Sequence, residues 1–255
     1  MRRKPQNITD SFYPIAFIAA LVAIWGLVSH LEIVPKFMLP APSNVLSALI
    51  SEAPLLWEHS KTTLAEAFIG LALSIFFALL LAIVMEEFVK VRKTLYPVLI
   101  ITQTIPTIAI APLLVLWLGY GMLPKIALIF ITCFFPLVIS ILSGFAGVDE
   151  DAVRLFTSMG ASRWQMLLWV KLPSAVESFF AGLKVSASYS IVGAVIAEWL
   201  GGNDGLGVYM TRVRKSFSFD KMFAVIIVIT VISLLLLYLV DLIQKKSMKW
   251  KTTER

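Results

Sequence analysis

Between Lys93 and Lys125 the chain reads TLYPVLIITQTIPTIAIAPLLVLWLGYGMLP, which is 31 residues without a single charge. Four further stretches of 19 to 23 residues are uncharged as well, at 11–29, 67–85, 126–148 and 222–240. A helix needs about 20 mostly apolar residues to cross the hydrocarbon core of a bilayer. The pattern therefore predicts an all-α, polytopic membrane protein.

The composition supports this prediction. Of the 255 residues, 59% are apolar and 15% are charged, and the mean hydropathy is +0.88, whereas soluble domains have about 45–50% apolar and about 25% charged residues. The net charge of +6 lies mostly in short segments between apolar runs, where basic residues orient membrane helices. These observations exclude a disordered chain, a secreted scaffold and a nucleic-acid binder. A single cysteine, Cys133, excludes a disulfide framework.

About six transmembrane helices are predicted, near 12–29, 66–85, 95–118, 123–144, 175–199 and 222–243. The third contains Pro97, Pro106 and Pro112, and the fourth contains Pro136. An interior proline removes a backbone hydrogen bond and kinks a helix. In a membrane such breaks are tolerated where other helices or water cover the freed carbonyls. Helices three and four are therefore expected to line a path.

The distribution of basic residues predicts the orientation. If the N-terminus is cytoplasmic, the inner segments hold 14 Lys and Arg residues and the outer segments hold seven. The positive-inside rule then favours two cytoplasmic termini. The basic cluster at 212–221 is the one outer segment that conflicts with this assignment.

The loop at 149–173 has an unusual composition for a segment that faces water. It begins with Asp149, Glu150 and Asp151, which favour a helix N-terminus. Gly160 permits a turn between two short helices, and Pro173 is expected to close the segment before the fifth transmembrane helix. Its apolar and aromatic side chains need a partner; they are Leu155, Phe156, Met159, Trp164, Met166, Leu167, Leu168 and Trp169. Docking to a soluble protein is one interpretation, and a hairpin lying on the lipid surface is the other.

This loop carries a family resemblance. Gly160, followed after nine residues by Val170-x-Leu172-Pro173, resembles the EAA loop of ABC importer permeases, although Arg154, Leu155 and Phe156 occupy the Glu-Ala-Ala positions. Other stretches resemble permeases for nitrate, sulfonate, taurine and thiamine-precursor pyrimidines. They are Leu39–Val45, the Pro106, Pro112 and Gly119-Tyr120-Gly121 motifs, Ala181–Leu200 and Gly205-Leu206-Gly207.

The resemblance, which spans about residues 37–250, implies a type I ABC importer permease fold. It divides the chain into an N-terminal helix with an outer interfacial helix (1–65), a permease core (66–243) with its coupling loop at 149–173, and a basic cytoplasmic tail (244–255). The residues it assigns to ATPase coupling are Met159, Gly160, Ala161, Ser162, Arg163, Leu172 and Pro173.

The same resemblance implies the partners and the cellular location. The chain is expected to form a homodimer in the bacterial cytoplasmic membrane, with ATPase subunits inside and a solute-binding protein outside. No cofactor is expected in this chain, because it has no P-loop motif; ATP and Mg²⁺ would bind to the ATPase. The solute would be small and polar or anionic, of the sulfonate, nitrate or pyrimidine type.

Several polar residues are candidates for the solute path. Gln103, Thr104 and Thr107 surround the expected break at Pro106, while Ser186 and Ser190 lie on the fifth helix. Serine and threonine in membrane helices also bond their own backbone or join helices, which is the alternative for each. Glu198 ends an apolar helix, where a carboxylate is costly; it is expected to act at a gate, to contact a binding protein, or to lie hydrated at the interface.

Three other function classes are alternatives to a permease. An intramembrane enzyme would need a catalytic constellation, but the only histidines, His30 and His59, are in no zinc-type motif. A stand-alone channel or a secondary transporter would leave the apolar cytoplasmic loop without a role, and the chain has no repeated filter-like sequence.

Overall fold

The computed structural model describes residues 8–35 and 37–248, and these residues form helices and no strand. The helices of the first half are α1 (Ile8–His30), α2 (Pro42–Ser51), α3 (Ala53–Glu87), α4 (Val89–Gln103), α5 (Thr107–Leu118) and α6 (Met122–Ala146). The second half contains α7 (Glu150–Ser158), α8 (Arg163–Met166), a π-helical turn (Leu167–Lys171), α9 (Leu172–Leu200), α10 (Leu206–Lys215) and α11 (Phe219–Ser247). The predicted all-α class is confirmed.

Five of the described helices are long and apolar enough to cross a membrane, counting α8, the π turn and α9 as one helix of 38 residues. A sixth span is possible from α4 and α5, which meet at an angle of 100°. The second predicted helix begins at Ala53, 13 residues before the expected start at Glu66. That prediction stopped at a charged residue, whereas Glu66 is paired with Lys125 inside the protein and does not end the helix.

The third predicted helix, 95–118, is not a single helix. It divides at Pro106, which has an extended backbone and forms the N-cap of α5. Because proline has no N–H, the helical hydrogen bonding stops there, and the Thr104 hydroxyl instead donates to the carbonyl of Ile101 at 2.7 Å. Pro97, Pro112 and Pro136 lie within continuous helices, so only one of these four prolines interrupts a helix.

The bent pair α4 and α5 carries the chain from one end of α3 to the other. Glu86, near the end of α3, pairs with Arg92 on α4 at 3.3 Å. Glu66 lies 20 residues earlier on α3, about 30 Å away along a helix, and pairs with Lys125 on α6 at 2.7 Å. The segment between Arg92 and Lys125 therefore covers a distance about equal to the thickness of a bilayer core, which makes α4 and α5 together a candidate for a sixth span.

Pro173 does not close a separate short helix before the fifth span, as the sequence suggested. The helix instead continues through the π turn, in which the Leu172 N–H donates to the carbonyl of Leu167. A proline ring clashes with the carbonyl four residues earlier in a regular α-helix, and the wider π turn relieves this crowding. The Ser174 hydroxyl donates to the carbonyl of Val170 at 2.7 Å.

The chain forms two compact units. In the unit that contains 58–208 and 229–248, α6 and α9 pack along their length. Cys133 and Ser186 join them, because each side chain donates to the other residue's carbonyl, at 3.2 and 3.0 Å. Lys184 on α9 pairs with Asp241 on α11 at 2.5 Å. Ile129, Leu137, Ile141 and Ile191 are among its fully buried side chains.

The other unit contains 8–57 and 209–228. The Trp25 indole of α1 donates to the carbonyl of Pro40 at 3.0 Å and stacks on Phe223 of α11. The expected short helix that follows the first span is present as α2. Ala41 is the N-cap and Pro42 is the first helical residue, because the fixed φ of proline suits that position.

Glu52, at the end of α2, accepts hydrogen bonds from Lys221 at 2.5 Å and from the Tyr209 hydroxyl at 3.0 Å. The bond from Lys221 holds the pKa of Glu52 below its usual value, and burial, together with the hydrogen bond to Glu52, raises the pKa of Tyr209.

The predicted boundaries at 65/66 and 243/244 both fall inside helices, α3 and α11. Most of the predicted tail and the N-terminal basic residues Arg2, Arg3 and Lys4 lie outside the described residues.

Candidate functional site

The first candidate site is the amphipathic segment, residues 149–173. Helix α7 begins at Asp149, whose carboxylate accepts from the N–H of Asp151 at 3.0 Å. At the start of α8, Ser162 and Gln165 form a capping box, in which each side chain accepts from the other residue's backbone N–H. These local bonds explain why a segment with so much apolar surface folds as helices.

The predicted turn at Gly160 is present. Its φ is +78°, and a Cβ added there would meet nothing within 4 Å. Glycine is therefore required for its backbone conformation rather than for space. The turn also contains Met159, Ala161 and Ser162, and it sets the direction of α8 relative to α7.

The amphipathic segment has a buried side and an exposed side. Met166, Leu167 and Val170 are buried. The exposed apolar side chains are Leu155, Met159, Trp164, Leu168 and Trp169, and Met159 and Trp169 are more than 70% exposed. A cluster of exposed apolar side chains on a segment whose helices are capped at their N-termini is typical of a protein–protein interface.

An ion-pair cluster attaches the amphipathic segment to α3 and α4. The carboxylate of Glu86 is paired with Lys171 of the π turn and with Arg92 of α4, and its side chain is only 9% exposed. A neighbouring cavity of about 340 Å³ is bounded by Glu86, Arg163 and Lys171, among others. Leu172 and Pro173 follow in the first turn of α9.

The second candidate site is a cavity of about 420 Å³ at the break between α4 and α5. The structure brings together Gln103, Thr104, Pro106 and Thr107 in its wall, with Thr132 of α6 and Tyr189 of α9 opposite. No charged side chain is among its lining residues, all of which are described. The cavity thus offers hydroxyl, amide and aromatic groups to a solute.

Ser186, Ser190 and Glu198 do not line this cavity. Both serine side chains are fully buried, and their hydroxyls donate to backbone carbonyls of Cys133 and Ala187 at 3.0 and 2.8 Å. The Ser186 bond joins α9 to α6, and the Ser190 bond stays within α9. Both arrangements were the alternative to a role in the solute path.

Glu198 belongs to a third site, the Glu198 network. It comprises the side chains of His59, Thr63 and Glu66 on α3, Lys125 on α6 and Glu198 on α9, together with backbone N–H groups of residues 205–207. The Thr63 hydroxyl donates to Glu198 Oε1 at 2.7 Å, and the Gly207 N–H donates to Glu198 Oε2 at 2.6 Å. Each of these five residues is at most 4% exposed.

Sequence reasoning missed the partners in two of these sites. Glu66 and Lys125 are 59 residues apart, too far to form a local sequence motif. Each was interpreted as the end of an apolar run. Glu86 and Lys171 are 85 residues apart. The one available signal was an acidic residue and a basic residue at matching ends of different predicted spans.

Comparisons with known proteins agree with this architecture. Residues 70–249 match the family described as binding-protein-dependent transport system inner membrane components. A probable ABC transporter permease protein of Haemophilus influenzae is 36% identical over 228 residues, which is 89% of this chain and 93% of that protein. A formylaminopyrimidine transport permease protein of Halalkalibacterium halodurans is 34% identical over 223 residues, 87% of this chain and 89% of that protein.

Solved structures share the fold. An inward-facing form of the MetNI methionine ABC transporter superposes with a TM-score of 0.67 at 16% identity, covering 77% of this chain and 97% of that one. The fold is that of a multi-pass membrane transport protein. The chain belongs to the family of binding-protein-dependent transport system inner membrane components, the ABC importer permeases, which are transport components for small solutes rather than enzymes.

Proposed function

We propose that this chain is the permease subunit of an ATP-driven importer, that it docks to a separate ATPase through the amphipathic segment, and that it moves a small polar or anionic solute inward. The observation that carries the proposal is the exposed apolar side of a capped segment that is also tied by ion pairs to two spans. A hairpin lying on lipid would not need the cluster around Glu86.

The ATPase binds ATP and Mg²⁺ in this proposal, and its closure moves the amphipathic segment. Met159, Gly160, Ala161, Ser162 and Arg163 form the contact, while Leu172 and Pro173 continue it into α9. Because Lys171 and Arg92 share Glu86, a displacement of the segment reaches α4, whose far end forms the wall of the 420 Å³ cavity.

Two copies of the chain form a homodimer in the cytoplasmic membrane of a bacterium, with both termini cytoplasmic and a solute-binding protein on the outer side. Relatives are named for formylaminopyrimidine and taurine transport, which supports a solute of the pyrimidine or sulfonate type; nitrate belongs to the same class of candidates. We assign the solute path to Gln103, Thr104, Pro106 and Thr107. The place of three further residues in the path has less support than that of these four, because their side chains are buried within the single chain; they are Ser186, Ser190 and Glu198.

Met159→Glu tests the docking. A carboxylate at the centre of an apolar interface must be desolvated without a partner, so co-purification of the ATPase is expected to fall by about tenfold or more. Thr94→Glu adds the same charge at an exposed position of α4 outside the amphipathic segment and serves as the matched control. Undiminished co-purification in the Met159→Glu variant would favour the lipid-surface hairpin.

A further inference from the structure

The Glu198 network would be an energetically unfavourable permanent junction between three helices. Two glutamates, one lysine and one histidine are almost fully buried there, and removing charges from water costs several kcal/mol per ion in real proteins. Well-packed apolar residues often replace a buried ion pair without loss of stability. A junction of hydrogen bonds has a different advantage, because its groups can return to water when the junction opens.

The network holds the segment 201–207, which connects α9 to α10. Three successive backbone N–H groups donate to three different side chains: Gly205 to His59 Nδ1 at 3.0 Å, Leu206 to Thr63 Oγ1 at 2.9 Å, and Gly207 to Glu198 Oε2 at 2.6 Å. Two of these acceptors belong to α3 and one belongs to α9. The segment is therefore bonded to the ends of both helices at once.

Thr63 and Lys125 connect the parts of the network. The Thr63 hydroxyl accepts from Leu206 and donates to Glu198, so removing this one oxygen breaks two bonds. Lys125 Nζ donates to Glu66 Oε1 at 2.7 Å and reaches the carbonyl of Asp204 at 3.5 Å. The bonds are shared in this way, and they are expected to form and break together.

The segment itself is suited to two conformations. Gly205 has a φ of +123°, and a Cβ added to it would lie 2.2 Å from the carboxyl carbon of Glu198. Only glycine allows the backbone to lie against that carboxylate, and glycine also leaves the segment free to change conformation once the bonds are broken.

We propose that the Glu198 network is a reversible closure of the extracytoplasmic end of the permease, with Glu198 and Thr63 as positioning residues. When its bonds are intact, the 201–207 segment ties α9 to α3; when they are exchanged for water, the two helix ends separate and that end opens. The assignment to the outer side rests on the proposed function.

Labelling of a single cysteine tests the closure. Val208, next to the segment, is 6% exposed, so Val208→Cys in a Cys133→Ser chain reports opening when a membrane-impermeant maleimide is added to right-side-out or inverted vesicles. Asp204→Cys, at an exposed position, gives the reference rate. The test variants are Thr63→Val and Glu198→Gln, which keep the side-chain volume.

We expect slow labelling of Val208→Cys in the parent chain. In either variant, labelling from the outer side is expected to be about tenfold to a hundredfold faster, because buried hydrogen bonds to a charged group are lost and the closed state is destabilised. Thr94→Val is the matched control, because the Thr94 hydroxyl is exposed and bonds its own helix at the carbonyl of Lys90; its rate is expected to stay unchanged.

Three results would overturn the closure: equal rates in the parent chain and both variants, an equal increase in the Thr94→Val control, or labelling from the cytoplasmic side alone. If a single variant is not inserted in the membrane, the double variant Glu66→Gln with Lys125→Met removes both members of the Glu66–Lys125 ion pair together. This double variant is expected to label faster as well, and a parental rate would count against the proposal. Absence of ATP-dependent uptake in the parental complex would contradict the proposed function, while the labelling still reports on the closure.

Discussion

At the residue scale, the pair of Lys221 and Glu52 sets a pH dependence. The hydrogen bond from Lys221 holds the pKa of Glu52 below its usual 4.5. A carboxyl whose pKa is lower in the folded state stabilises the fold above its unfolded pKa, and this stabilisation is lost as the pH falls through the folded value. The contribution is therefore complete at pH 7 and declines below about pH 4.5.

Lys221→Met is expected to lower the midpoint of thermal unfolding at pH 7. The effect is expected to become smaller as the pH falls from the usual pKa of Glu52 through its lowered folded-state pKa, because protonation of Glu52 then removes the ion pair from the parent protein as well. Thermal unfolding of the detergent-solubilised chain across this pH range measures the difference. Lys61→Met is the control, since Lys61 pairs with Glu58 in a more exposed setting. A difference that stays constant down to pH 3 would contradict the assignment to Glu52.

The residues that the sequence predicted correctly are those whose roles are local. Asp149 caps the start of a helix and Gly160 makes a turn, because each acts on its own backbone. Ser186 and Glu198 were identified as polar residues in an apolar helix, but their partners depend on which face of α9 packs against α3 and α6. That information is not contained in a helix's own sequence.

At the scale of elements, Glu86 joins α3, α4 and the π turn. Glu86→Gln removes the charge that holds both Lys171 and Arg92 while keeping the side-chain shape. Under the proposed function, ATP hydrolysis by the complex is expected to persist while uptake falls by about tenfold, because a buried charge-assisted contact is lost. Uptake and hydrolysis are measured on the same reconstituted complex.

Glu87→Gln is the matched control, since it changes the adjacent carboxylate, which forms no ion pair within the described part of the chain. Equal loss of uptake in the two variants would show that the effect is one of local charge rather than of the Glu86 contacts. Parallel loss of uptake and hydrolysis would place Glu86 in folding or docking instead of in transmission.

The element boundaries that the sequence missed have a common physical cause. The prediction began α3 at Glu66 because a charge is costly in a membrane, yet Lys125 compensates this charge and the helix begins at Ala53. It also treated Pro106 as a kink within one helix and Pro173 as a stop. The structure shows a 100° bend at the first and a π turn that accommodates the second, and the outcome at a proline depends on how neighbouring groups satisfy the freed carbonyls.

At a larger scale, the ion pairs show which helix ends meet at each end of α3. Glu66 and Glu86 mark the two ends of the apolar part of α3, and their partners place the start of α6 at one end and the starts of α4 and the π turn at the other. If α4 and α5 together form one span, six crossings are expected, and both termini are then expected on the same side of the membrane. The Glu198 network and the amphipathic segment then lie on opposite sides of the membrane.

Reporter fusions test this topology. Alkaline phosphatase is active only outside the cytoplasm and green fluorescent protein fluoresces well only inside it, so phosphatase fused after Gly121 and the fluorescent protein fused after Ser247 are both expected to be active. The exchanged fusions at the same two positions are the controls and are expected to be inactive. The reversed pattern would move the Glu198 network to the cytoplasmic side. Activity of the same reporter at both positions would mean that the chain crosses the membrane an even number of times between Gly121 and Ser247, which contradicts the three spans expected there from α6, α9 and α11.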